Sequence, residues 1–82
     1  MAKNKNFTVR DYLDDIWGDD LDSLKEMIIR ANGDWNTDFA AGWLSAQALN
    51  NSNKFYIPDD FVQRPAFHIS KEVRIFLKEN GL

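Results

Sequence analysis

Thr8-Val9-Arg10-Asp11-Tyr12-Leu13-Asp14-Asp15-Ile16-Trp17-Gly18 holds the organisation of this chain in miniature. Thr8 reads as a helix N-cap with Asp11 at N3, a variant of the capping box, and Phe7 and Tyr12 have the spacing of a hydrophobic staple. Val9, Tyr12, Leu13, Ile16 and Trp17 then recur at i, i+3, i+4, i+7 and i+8, the stripe of a core-facing helix. Gly18 ends it. Asp11, Asp14 and Asp15 fall on the opposite side, so the segment predicts apolar groups turned inward beneath a ridge of carboxylates.

Working outward, Asp19 or Asp20 caps a second helix with the apolar set Leu21, Leu24, Met27, Ile28 and Ala31, stopped by Asn32-Gly33 with Gly33 at C′. A third helix is expected from near Asp34 or Asn36 to about Asn50. Its stripe reads as Trp35, Phe39, Trp43 and Ala46, widened by Ala40, Leu44 and Leu49. Gly42 inside it suggests close approach of another element, because an interior glycine costs about 1 kcal/mol relative to alanine. After the polar break Asn50-Asn51-Ser52-Asn53 comes an aromatic crossover. There Ile57 and Arg64, each preceding a proline, are pushed out of the α region. Pro58 to Gln63 reads as a single helical turn with Pro58 at N1. Phe55-Tyr56-Ile57 and Ala66-Phe67-His68-Ile69 read as extended, either as packed irregular segments or as two short strands. Ser70 is then expected to cap the last helix, with Val73, Phe76 and Leu77 inward and Asn80-Gly81 closing it. The expected fold is mainly α: a single domain over residues 1–82, about four helices, residues 1–6 a flexible basic arm.

The composition supports a real core in so short a chain. Eleven of 82 residues are aromatic, and each such ring can bury roughly 150–250 Å². With no cysteine, disulfide scaffolds, cysteine-based zinc sites and thiol catalysis are excluded. No apolar run reaches the length of a membrane span, and the start lacks the apolar core of a signal peptide. The expected location is cytoplasmic. The net charge of −3 is unevenly placed. Residues 11–26 hold seven acids against Lys25 alone, while residues 54–82 hold five bases and four acids.

Tests for chemistry come out against catalysis. A nucleophilic site needs a base beside its nucleophile, and the single histidine, His68, sits between Phe67 and Ile69 in an apolar stretch. No phosphate-cradling glycine loop occurs. A calcium loop begun at Asn32 puts Thr37 at position six and Trp43 at twelve, and one begun at Asp34 puts Phe39 and Ser45 there; both fail the ligand rule. No enzyme activity, metal or cofactor is expected. A helix-turn-helix across Asn32-Gly33-Asp34 would need cations on its second helix, and residues 36–50 contain no Lys or Arg but do contain Asp38.

Surfaces therefore carry the functional expectation. The first is an acidic and aromatic contact face drawn from Asp11, Asp14, Asp15, Asp19, Asp22, Trp35 and Trp43, fitted to a protein partner with a basic surface. It describes a small non-catalytic accessory or inhibitor protein. The size, the lack of cysteine and the richness in Asn and Lys are of the kind met in phages and mobile elements. The alternative is a helical nucleic-acid-binding regulator using Lys71, Arg74 and Lys78 on the last helix with Lys3 and Lys5 on the amino-terminal arm. A second alternative is a structural subunit of an assembly, and an exposed Trp35 or Trp43 would mark a homodimer seam.

Overall fold

A computed structural model describes residues 6–82 of the chain. Four helices follow in order: α1 (Val9–Trp17), α2 (Leu21–Asn32), α3 (Thr37–Asn50) and α4 (Pro65–Glu79). Single 3-10 turns at Ser52–Lys54 and Asp59–Phe61 punctuate the crossover between α3 and α4. The molecule is the small all-helical bundle its sequence predicts.

The first two helices begin and end where their capping residues place them. The Thr8 hydroxyl accepts from the Asp11 amide, and the Asp11 carboxylate accepts from the Thr8 amide, closing the capping box. Asp20 caps α2 through the Ser23 amide, and Gly33 follows it in the left-handed region at φ 85°, which glycine enters at no steric cost. Gly18 works differently. Its backbone is right-handed (φ −57°, ψ −36°), and what it supplies is absence of bulk: a Cβ there would lie 2.5 Å from the Asp14 carbonyl oxygen.

The core is built on α3 against α4. Ala40, Ala41, Leu44 and Ala48 are buried on one helix, and Ile69, Val73, Phe76 and Leu77 on the other. The side chain of Asp38, at the start of α3, meets Arg74, and the Thr37 hydroxyl donates to the Leu82 carbonyl oxygen. The two helices are thus antiparallel. Alanines on α3 let the larger side chains of α4 come in close, as native packing density requires. α1 packs on α4, with Val9, Tyr12, Leu13 and Trp17 buried and Arg10 paired to Glu79. From the crossover, fully buried Phe55 tilts against Tyr12, ring centroids 5.2 Å apart. The Tyr56 amide donates to the Phe7 carbonyl oxygen, and a lone parallel bridge joins Thr8 to Tyr56. α2 rests on α1 and α3 and fully buries only Leu24 and Ile28.

Several expectations need correction. The last helix begins at Pro65, not after a Ser70 cap, so Ala66-Phe67-His68-Ile69 is helical and neither strand nor irregular segment. Proline at N1 explains this: its missing amide is one that a first turn leaves unpaired anyway, and its φ is preset for a helix. Arg64 just before it lies outside the α region (φ −138°, ψ 56°), as a residue before proline should. Pro58 precedes its 3-10 turn and is not N1 of it. On α3 the inward stripe is the alanine face, and Phe39, Ala46 and Leu49 are exposed. Large rings do not fit where α4 comes close. No described element approaches Gly42: a Cβ there would meet none of the described residues within 4 Å. Ile16 and Ala31, placed inward by periodicity, are exposed as well.

Two predictions follow from this packing. Gly18→Ala should lower stability by about 1–3 kcal/mol through backbone displacement, whereas Gly42→Ala should be neutral or stabilising by up to about 1 kcal/mol; urea denaturation separates them. Burial raises the Tyr12 phenol above its ordinary pKa of 10.0. The unfolded chain therefore releases that proton first, so the phenol's contribution is complete below the unfolded pKa and is lost as pH rises through the folded one. Tyr12→Phe should match the wild type near neutrality and keep more of its stability in alkaline melts.

Candidate functional site

The carboxylates of α1 divide by what the fold asks of them. Asp11 is spent on the capping box, with Oδ2 accepting from the Thr8 amide at 2.9 Å and from the Thr8 hydroxyl at 3.1 Å. Asp20 is spent on α2, where its two oxygens accept from the Ser23 amide and hydroxyl at 3.3 and 2.8 Å. Asp14, Asp15, Asp19 and Asp22 are exposed, and none has a side-chain partner among the described residues.

Those four are not equivalent. Asp19 and Asp22 flank the amino end of α2, where the macrodipole favours negative charge by about 0.3–1 kcal/mol. Asp14 and Asp15 sit toward the carboxyl end of α1, which has no base in its last turn, and there the dipole opposes them. Asp15 also repeats the charge of Asp11 one turn earlier, a like-charge pair that costs a few tenths of a kcal/mol. Folding thus accounts for Asp11, Asp19, Asp20 and Asp22 and leaves Asp14 and Asp15 unexplained.

Apolar groups border this ridge. Ile16, next to Asp15, is 40% exposed. Trp17 is buried, its ring centroid 6.5 Å from that of Trp43, and its indole N–H donates to Gln47 Oε1 at 3.4 Å. That contact ties α1 to the middle of α3 and leaves Trp43 half-buried, beside a shallow groove it lines with Asp38, Phe39 and Gly42. Trp35 is also half-buried, before α3, and packs against the core. Among the described residues no hydrogen bond or ring contact joins Trp35 to the α1 acids.

The basic residues lie elsewhere. Lys71 and Lys78 are exposed on α4 without partners among the described residues, and Arg74 pairs with Asp38 at 3.1 Å. Lys3 and Lys5, with the flexible arm expected around them, lie outside the described residues. His68 is half-buried and stacks on Phe61, ring centroids 4.9 Å apart. Among the described residues no group of three or more acids or histidines is placed to hold a metal ion.

Sequence reasoning missed Phe67 and Val62, the most exposed large apolar side chains among the described residues at 63% and 59%. Read as extended, Phe67 had no face to belong to. Read from Pro65 as N1, it heads the row Phe67, Lys71, Arg74, Lys78. Comparison with protein-family models, with curated proteins and with solved structures finds no match to this chain.

The division of labour among the aspartates can be measured by chemical denaturation. Asp11→Asn should cost about 1 kcal/mol by opening the capping box. Asp15→Asn should stabilise by about 0.3–1 kcal/mol, through relief of the dipole and of the repulsion with Asp11.

Proposed function

We propose that this chain is a small non-catalytic docking module, an accessory or inhibitor protein of the phage or mobile-element kind that acts in the cytoplasm by occupying a basic surface on a larger protein. The contact surface is the Asp14/Asp15 ridge, extended by Asp19 and Asp22 at the α1–α2 corner and bordered by Ile16 and half-buried Trp43. Binding is itself the activity, since the partner's surface is blocked or redirected while it is covered.

One observation carries this reading: Asp14 and Asp15 stand outward where the helix dipole and Asp11 disfavour them, with no partner among the described residues to compensate. Charges that cost stability are expected where function spends stability. An acidic ridge steers a basic partner into encounter, and an apolar border supplies the desolvated contacts that slow dissociation. Asp11 lies on the same acidic helix and is exposed, but its carboxylate also closes the capping box, so the test leaves it unchanged.

The test is capture from a nuclease-treated lysate of the native host, with wild-type protein and with the combined variant Asp14→Lys, Asp15→Lys as bait. The variant should melt at or above the wild-type temperature and lose the captured protein. Equal capture by a folded variant would reject this surface.

A further inference from the structure

The outward face of α4 is opposite in chemistry to the ridge on α1. We propose that this face binds single-stranded nucleic acid, with Phe67 stacked on a base and Lys71, Arg74 and Lys78 on successive phosphates. It is independent of the docking reading, which uses α1, α2 and Trp43 of α3.

The first argument is spacing. Positions 67, 71, 74 and 78 fall at i, i+4, i+7 and i+11, one row along about 16 Å of helix at 1.5 Å per residue. The row presents roughly one cation per turn behind an aromatic head, the pairing of charge and stacking platform that sequence-tolerant single-strand binding uses.

The second is segregation of charge. Glu79 of α4 meets Arg10 on α1, while Arg74 meets Asp38 on α3. The acidic flank of α4, Glu72 and Glu79, therefore turns toward α1, and the basic row is left clear of the protein's own acidic ridge. The first turn of α4 carries no acid, and exposed Arg64 precedes it. The positive end of the helix dipole thus adds to the field at Phe67.

The third is the state of the ring. Phe67 is 63% exposed, yet it lies nearly parallel to Phe61, at 15° with centroids 6.2 Å apart, and Phe61 in turn stacks on His68. An exposed ring held in a stack is a preoriented surface for another planar group. A duplex keeps its bases inside, so the ring favours a single strand. Arg74 is held by Asp38 only in an exposed pair, with side chains 54% and 84% accessible, and such pairs contribute about 0–1 kcal/mol. A phosphate can displace it. Asp59 and Asp60 on the neighbouring turn and the net charge of −3 oppose the strand, which places the binding at low salt.

The experiment is fluorescence anisotropy of the full chain against a labelled oligothymidine or oligouridine of about twelve nucleotides, over a salt series. Three phosphates at roughly 0.7 each predict a slope of about −2 in log affinity against log salt. Phe67→Ala, at an exposed position that leaves the melt unchanged, should weaken binding about five- to 150-fold. Lys71→Glu with Lys78→Glu should abolish it, and Asp14→Asn with Asp15→Asn should not weaken it. No binding at low salt, or binding indifferent to Phe67→Ala, overturns the proposal. Poly-L-glutamate captured as tightly as the oligonucleotide also overturns it, because the face would then be a general dock for acidic protein segments.

Discussion

The close approach of α3 and α4 is the constraint from which the rest of the molecule takes its shape. Ala40, Ala41 and Ala48 present almost no side chain, and Ile69, Val73, Phe76 and Leu77 fill the space they leave. A helix that spends its small residues on the seam must carry its large ones elsewhere. Phe39 and Trp43 are accordingly turned off the seam, and Trp43 becomes the ledge on which Trp17 settles. α1 is in this sense mounted on a finished pair, held by Trp17 at one end and by the Arg10–Glu79 ion pair near the other. Phe55 completes the attachment by reaching from the crossover to Tyr12.

The distribution of charge makes sense against that scaffold. Among the aspartates of the α-helices and their caps, those that help the chain fold are found at a helix start: Asp11 and Asp20 as capping groups, Asp19, Asp22 and Asp38 close to amino ends. Asp14 and Asp15 break the pattern, which is why they anchor the proposed docking surface. The bases break a different pattern. An exposed helix face ordinarily mixes signs, but the charged residues of the row on α4 are all cations, and it begins with an exposed ring. Two surfaces of opposite sign thus stand on different helices of one small domain.

Much of this was legible in the sequence, for identifiable reasons. Caps are local chemistry, so Thr8, Asp20, Asn36 and Gly33 marked three helices to within a residue or two. The α1 periodicity put Asp14 and Asp15 outward because its apolar set is confined to one stripe. α3 defeated the same logic, since apolar residues surround it and periodicity has no direction to report; only the identity of the facing helix selects the alanines over the rings. At Pro65 two rules compete. Proline restrains the residue before it and welcomes the residues after it, and reading only the first rule hid a turn of helix and with it the place of Phe67. Gly42 misled because its cost to a helix is real, whereas no described residue comes close enough to explain it.

Residue-resolved native-state hydrogen exchange by NMR tests the central claim, that the α3–α4 pair is the stable unit on which the charged helices are mounted. The account places the slowest amides at Leu44, Ala48, Val73, Phe76 and Leu77, exchanging only by global unfolding, with α2 opening at lower free energy because it buries just Leu24 and Ile28. Amides of α2 protected as strongly as those of α4, or rapid exchange in the middle of α3, would contradict it.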